Sequence, residues 1–232
     1  MNKKVVIVHY NTPDLMMALV KSIRKFTSGF HIYIFDNSDK EPFSCSGDDI
    51  TIIDNTNGQI IDFDKWEEEQ DNIDQKIYNR NKLASAKHSY SIQKCIELIG
   101  GDFILLDSDV LLKKDISGIM DDRFCCVGMK EKLKERKERV LPFLCYINAN
   151  KCNENNIKFF DKYRMIGINY ENEGNLYDTG ASFLEDIKQI NAFKNIDIMQ
   201  YVVHYASGSW NAPWNKGKSK NKWLNVYRRL WM

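Results

Sequence analysis

The chain has 232 residues, 43% of them hydrophobic, and a formal net charge of +1. That size fits one large domain, or a domain with an appended lobe, with apolar content enough for a real core. Such an even charge excludes a nucleic-acid binder driven by phosphate attraction. No apolar run approaches a membrane span and no signal-peptide core follows Lys3-Lys4, so the expected location is the cytoplasm.

Residues 5–8 are a continuous apolar, β-branched run, the pattern of an interior parallel strand. The run ends in polar His9, Tyr10 and Asn11. Thr12-Pro13-Asp14 then opens a helix: Thr suits the N-cap, Pro the first helical position and an acid the first turn. Leu15, Leu19, Ile23 and Phe26 follow at helical spacing, and Gly29 ends the helix. Residues 31–35 read as a second strand, closed by Asp36-Asn37-Ser38-Asp39. Strand, helix and strand make a right-handed βαβ unit whose two strand ends face one crevice. At that edge Asp36 either takes hydrogen bonds from a nucleoside ribose or base or builds an Asx-turn. The residues allow both.

Residues 50–53 read as a third strand. The stretch 59–79, with acidic Trp66-Glu67-Glu68-Glu69, reads as a solvated helical or mobile insertion over one edge of the sheet. From residue 82 to 99 helical spacing returns, with Leu83, Ala86, Tyr90, Ile92, Ile96 and Ile99 as the apolar stripe. Its first half carries the polar donors Asn79, Arg80, Lys87 and His88, and Gly100-Gly101 stops it.

Residues 103–106 are four apolar residues running into Asp107-Ser108-Asp109. The run is too short for a helix and reads as a buried strand. In extended backbone, residues i and i+2 point the same way, so Asp107 and Asp109 can present both carboxylates to one point. Two like charges so placed favour a hard divalent cation between them. A second Asp-x-Asp triplet, residues 62–64, has no strand before it. Position at a strand's carboxyl end, where open α/β sheets bind ligands, is what distinguishes residues 107–109.

Beyond Val110-Leu111-Leu112, residues 125–129 and 140–147 read as strands that add antiparallel or mixed pairing. Between them the charged run 130–139 reads as a solvated turn or mobile loop. Tyr177-Asp178-Thr179-Gly180 precedes a helix with Phe183, Ile187 and Ile190 on its apolar face. Asp178 is either the helix cap or, like Glu185-Asp186 further on, a general base for an incoming hydroxyl. Residues 196–205 read as the final strand, with His204 as a structural histidine or a third metal ligand. Gly208, Trp210, Trp214 and Lys216 follow in a loop. The tail 216–232 mixes lysines and arginines with Trp223, Tyr227, Leu230 and Trp231 on one helical face. That face suits either an anionic membrane surface or the domain itself. The six cysteines lack C-x-x-C spacing, so zinc is not expected and reduced core thiols are.

Three segments together resemble the GT-A-fold glycosyltransferases: residues 5–15 with Ser22-Ile23, Phe35-Asp36-Asn37-Ser38, and Leu105-Leu106-Asp107-Ser108-Asp109. The opening is most like the family-2 type, and His204 with Gly208-Ser209-Trp210 resembles the C-terminal metal-histidine segment of several GT-A enzymes. The resemblance implies an α/β, Rossmann-like fold: a mostly parallel mixed sheet flanked by helices, with a smaller acceptor-side region. Residues 1–112 would bind the donor, 113–215 would form the acceptor side of the same domain, and 216–232 the basic aromatic tail. It implies a hexosyltransferase using a nucleotide-diphospho-sugar, a UDP-sugar favoured, with Mn²⁺ or Mg²⁺. The acceptor would be a glycan or lipid-linked hydroxyl in surface-polysaccharide assembly, with peripheral contact at the inner membrane face. Asp107, Asp109 and His204 would hold the metal. His9, Tyr10, Asn11, Asp36, Asn37, Lys87, Ser108 and Lys216 would line the nucleotide-sugar site. Two departures leave the base open: no asparagine-glycine-rich segment follows the third strand, and no glutamate-aspartate pair heads the acceptor-side helix. A degenerate GT-A domain without turnover, and a haloacid-dehalogenase-like phosphatase needing a later acidic pair, for which the available Asp121-Asp122 comes too soon, are the alternatives.

Overall fold

Strand alternation sets the layers. In β1 (Lys3–His9), Val5 and Ile7 face one side of the sheet and Val6 the other. The computed structural model describes residues 3–71, 80–134, 136–166, 177–205 and 220–232. Helix α1 (Pro13–Phe26) covers the Val5 side with Leu19, Val20 and Ile23. It has Pro at its start, Asp14 in its first turn, and Gly29 beyond its end at a φ of 71°. After β2 (Phe30–Asp36), β3 (Ile50–Asp54) and α2 (Phe63–Asp71) comes α3 (Arg80–Ile99). Helix α3 covers the opposite face with Ile92, Cys95 and Ile96, against Val6 and Phe35. Gly100 and Gly101 stop it, both at positive φ.

Strand β4 (Asp102–Asp107) alternates likewise: Ile104 and Leu106 lie with α1, Phe103 and Leu105 with α3. The short β5 (Val110–Leu112) leads to β6 (Cys126–Glu131), β7 (Arg139–Asn148), α4 (Ala149–Glu154), α5 (Lys162–Ile166) and α6 (Ala181–Gln189). Strands β8 (Phe193–Asn195) and β9 (Val202–His204) and helix α7 (Lys220–Val226) complete the described elements. The main sheet runs β3-β2-β1-β4-β7-β6-β8, and β5 pairs with β9 in a separate antiparallel ribbon. Strands β1, β2, β3 and β4 are parallel, whereas β7 is antiparallel to β4 and β6. The chain leaves β1 for β2 on one side and returns to β4 on the other. This reversal opens the crevice at which α/β sheets bind ligands. Register puts His9 beside Asp36 and Val8 beside Asp107 at its lip.

Three expectations need correction, and one alternative that the residues left open is resolved. Residues 196–205 do not form one strand: β8 ends at Asn195, and Asp197 caps a 3₁₀ turn by accepting from Met199 N, so β8 and β9 join different sheets. Helix α2 is not simply solvated, since Trp66 is buried and stacked on Tyr90. The charged run 130–139 supplies the end of β6 and the start of β7, and it brings two arginines to Asp178. In the tail, Leu224 and Leu230 are buried with Trp223, Tyr227 and Trp231 against Leu15, Ala18, Leu111 and Tyr205. Each buried leucine contributes about 1.5–3 kcal/mol, which favours packing on the domain. All six cysteines are free, and five are buried.

The crevice lip is held by a buried hub. Thr12 N donates to His9 Nε2 (3.1 Å), which places the ring proton on Nδ1, and Nδ1 donates to Asp36 Oδ1 (2.9 Å). Ser38 N and Oγ donate to the same oxygen at 3.0 and 2.6 Å, and Phe43 N donates to Oδ2 at 2.7 Å. Burial alone would raise the Asp36 pKa. The bonds from His9, Ser38 and Phe43 outweigh it and hold the carboxyl below its ordinary value. The stability this ionised group contributes is present above the ordinary carboxylate pKa and lost as pH falls through the lowered one. Asp36→Asn should therefore cost about 1–3 kcal/mol at neutral pH, a drop of several degrees in Tm. The gap between the two proteins should close on acidification. Parallel melting curves from neutral to acidic pH check this, and a constant gap refutes it.

Candidate active site

Asp107 ends β4 on the Phe103–Leu105 side, the face that α3 covers. Ser108 points the other way: it is 1% exposed, with Oγ 3.4 Å from Thr12 Oγ1 at the start of α1. The chain turns at Ser108 and Asp109 before entering β5. Tyr205 N donates to Asp109 O (2.8 Å), and Val110 pairs with His204, so the β5–β9 ribbon carries His204 to Asp109. His204 Nε2 lies 3.3 Å from Asp109 Oδ1, and its ring stacks on Phe143 at 4.2 Å. From α3, His88 Nε2 lies 3.3 Å from Asp107 Oδ1. Each aspartate thus faces one imidazole.

One ligand atom from each of Asp107, Asp109 and His204 lies within 4.8 Å of the other two. Among the described residues no other group of three or more His, Cys, Asp or Glu side chains converges in this way. Asp107 Oδ1 is buried without an aligned hydrogen-bond donor, although His88 is in ion-pair range. A buried carboxylate oxygen in that state has spare capacity for a cation. Two carboxylates and an imidazole suit Mg²⁺ or Mn²⁺, so the donor set fits the cation the sequence implied. Burial alone would lower the His204 pKa; the bond to Asp109 and the charges of Asp109 and Asp107 outweigh it and raise the pKa, with Arg139 opposing. His88 is shifted upward in the same way, against burial, by Asp107, Asp109 and Asp178.

Asp178 stands across from this cluster on the loop before α6. It does not cap the helix, whose N-cap is Gly180. Gly180 adopts a φ of 84°, and a Cβ there would collide with the Val140 carbonyl, so only glycine lets this loop press on β7. Ser85 Oγ donates to Asp178 Oδ1 (2.6 Å), Arg139 Nη1 donates to Oδ2 (2.7 Å), and Arg136 pairs with the same oxygen. Burial would raise this carboxyl's pKa, but Arg139, the bonds from Ser85 and Thr179 N, and Arg136 together lower it. Glu185 and Asp186 gather around Arg164, which donates to Asp186 at 2.8 and 2.7 Å and to Glu185 at 3.2 Å; Tyr177 adds 2.7 Å to Glu185. The structure brings this pair to Arg164 and not to the aspartate cluster.

The other expected site residues separate into lining and scaffold. Tyr10 is 44% exposed at the crevice. Asn11, at a φ of 49°, accepts from Lys40 N and Glu41 N and laces two loops together. Asp36 and His9 are saturated inside their hub, which makes Asp36 a turn builder. Asn37 is bound to Ser91 (3.0 Å) and Asn55 (2.8 Å). Lys87 pairs with Glu67 on α2 rather than approaching Asp107; its neighbour His88 makes that approach. Lys216 lies outside the described residues. Asp121, needed by the phosphatase alternative, is held by Arg123 and Lys194. Sequence reasoning named His88 only as one of four polar donors near the Asp107 strand, and it missed Ser85, Arg136 and Arg139 as site residues. The signal for His88 and Ser85 was their i,i+3 spacing on the α3 face above Leu105.

No protein-family model and no curated protein sequence matches the chain. Among solved structures, the galactosyltransferase LgtC in complex with donor and acceptor sugar analogs is similar at a TM-score of 0.51 and 13% identity. That likeness covers 84% of this chain and 73% of LgtC. An active-site mutant of LgtC gives 0.50 and 14% with the same coverage. The glycosyltransferase GlyE of Streptococcus pneumoniae TIGR4 gives 0.49 and 10%, over 99% of this chain and 50% of GlyE. Identities this low show fold alone, and that fold is the GT-A type.

Mn²⁺ at about 100 times its Kd should stabilise the folded chain by roughly 2.7 kcal/mol, or about 5–10 °C in Tm for a chain of this size. Asp109→Asn should reduce the shift to near zero. Differential scanning fluorimetry across a Mn²⁺ series measures both, and equal shifts in the two proteins count against a cation site.

Proposed function

We propose that the protein is a metal-dependent glycosyltransferase. It moves a hexose from a nucleoside-diphosphate sugar, UDP-sugar favoured, to a hydroxyl of a glycan or lipid-linked acceptor. The observation that carries this reading is the Asp107–Asp109–His204 cluster at the switch point of a GT-A-type sheet. Residues 1–112 form the donor half and 113–215 the acceptor half, with 216–232 as a tail.

Asp107, Asp109 and His204 would hold Mn²⁺ or Mg²⁺, which when bound offsets the charge growing on the departing diphosphate. Exposed Tyr10 offers an aromatic face to the nucleobase, and the His9–Asp36 hub and Asn11 fix the loops on either side of it. Asp178, whose oxygens already accept from Ser85, Thr179 N, Arg139 and Arg136, fixes the loop before α6 rather than binding a sugar hydroxyl itself. Its lowered pKa and two arginine partners make it a weak proton acceptor. Glu185 and Asp186, through Arg164, fix α6 behind it.

A screen of sugar nucleotides for Mn²⁺-dependent hydrolysis tests the reaction class. One UDP-sugar should be cleaved above the rest, and Asp107→Asn should slow cleavage by about a hundredfold or more. Metal-independent cleavage, or cleavage unaltered in Asp107→Asn, contradicts the proposal.

A lipid-linked acceptor would bring the protein to a membrane through a surface other than the tail's aromatic face. With that face packed on α1, what remains outside is a basic rim: Lys21 and Lys25 on α1, and Arg228 and Arg229 after α7. Lys21 Nζ lies 5.4 Å from the centre of the Trp231 ring, and Lys25 Nζ donates to Arg229 O (2.6 Å), so these cations adjoin. Val226 and Met232, 63% and 65% exposed, supply apolar contacts beside them. Each basic residue near an anionic surface is worth about 1 kcal/mol. Reversing Arg228 and Arg229 to glutamate should therefore weaken co-sedimentation with phosphatidylglycerol vesicles by about tenfold or more. Phosphatidylcholine vesicles should bind neither protein, and binding equal for both proteins rejects the rim.

A further inference from the structure

We infer that His88 is the positioning residue for Asp107: it holds this carboxylate in the orientation that presents it to a cation, while staying outside the ligand set. The inference deepens the cation-site reading above and rests on it. Strand parity supplies the first argument. Asp107 continues the Phe103–Leu105 face of β4, the face against which α3 packs Ile92, Cys95 and Ile96. His88 lies on α3 one turn before Ile92, so the same packing that buries the helix delivers an imidazole to the end of β4.

Geometry supplies the second. His88 Nε2 stands 3.3 Å from Asp107 Oδ1, the oxygen that has no aligned donor within the described protein. The convergent cluster comprises Asp107, Asp109 and His204, and His88 is not part of it. An imidazole that touches one ligand oxygen without joining the ligands is placed to orient that oxygen. Such outer partners of a metal site commonly govern its affinity.

Rigidity supplies the third, because α3 is tied on three sides. Ser85, three residues before His88, donates to Asp178 (2.6 Å), and Thr179 Oγ1 donates back to Ser85 O (3.3 Å). Lys87 pairs with Glu67 on α2, and Ser91 accepts from Asn37 at the end of β2 (3.0 Å). His88 is therefore carried on a segment whose neighbours on either side are already fixed. The charged groups that face it, Asp107, Asp109 and Asp178, are all acidic.

The test uses the full chain, with Mn²⁺ as the probe, in His88→Ala, His88→Gln and His204→Ala. Calorimetry should show Mn²⁺ affinity reduced about 10–100-fold in His88→Ala. His88→Gln, which keeps an N–H donor, should recover part of the loss. Pulsed electron paramagnetic resonance of bound Mn²⁺ should show imidazole-nitrogen coupling kept in His88→Ala and lost in His204→Ala. Melting of the metal-free proteins separates this role from a folding defect, which would lower Tm without the recovery in His88→Gln. Wild-type Mn²⁺ affinity in His88→Ala overturns the inference and leaves the cation site standing. Loss of nitrogen coupling in His88→Ala also overturns it, by making His88 a ligand. Absence of Mn²⁺ binding in the wild type removes both readings.

Discussion

Two carboxylates at the end of β4, with ligand atoms within 4.8 Å of each other and Asp109 only 2% exposed, repel strongly unless something positive lies between or beside them. At an effective dielectric near 20 the repulsion is roughly 3–4 kcal/mol, a large share of a typical domain's net stability. Much of the surrounding structure answers that repulsion. The β5–β9 ribbon, only three residue pairs long, brings His204 to Asp109. Helix α3 brings His88 to Asp107. Neither histidine is near the aspartates in sequence, so the fold itself supplies the compensation.

The same sheet edge holds a third carboxylate with the opposite fate. Asp36 lies beside His9 in register, and is as buried as Asp109. Its oxygens already accept from His9, Ser38 N, Ser38 Oγ and Phe43 N. Nothing is left for a ligand, and its capacity goes into bending the chain at the crevice lip. Asp107, with one oxygen lacking an aligned donor, is the reverse case. What separates a scaffold acid from a site acid here is the count of donors already aimed at it. Both stand at strand ends of one crevice.

That distinction explains what could be read from the chain alone. Residues 5–8, 31–35 and 103–106 announce buried strands through unbroken apolar runs, and Thr12-Pro13-Asp14 announces a helix. Those patterns place Asp107 and Asp109 at a sheet edge without further help. The role of Asp36 was not legible, because an Asx-turn and a ribose contact use the same residues. Nor was the choice of His88 over Lys87: adjacent helical residues point about 100° apart, and only the packing of α3 tells which one looks inward. Arg136 and Arg139 were hidden in a charged run that reads as solvent-exposed. Their partner, Asp178, is some forty residues further on in the chain, a separation that periodicity does not bridge. The break at Asp197 was missed because Ile196, Ile198 and Val202 keep an apolar rhythm through it.

The acids on the two sides of the crevice are compensated in chemically different ways. Asp178 is balanced by Arg139 and Arg136, whose guanidinium groups stay protonated and cannot coordinate a metal. Asp107 and Asp109 are balanced by His88 and His204, whose charge is exchangeable, and of the two only His204 converges with both aspartates. On the arginine side the positive charge is permanent. Helix α3 touches both sides, through His88 and Ser85, one turn apart. One rigid element therefore sets the spacing between the exchangeable and the permanent charge.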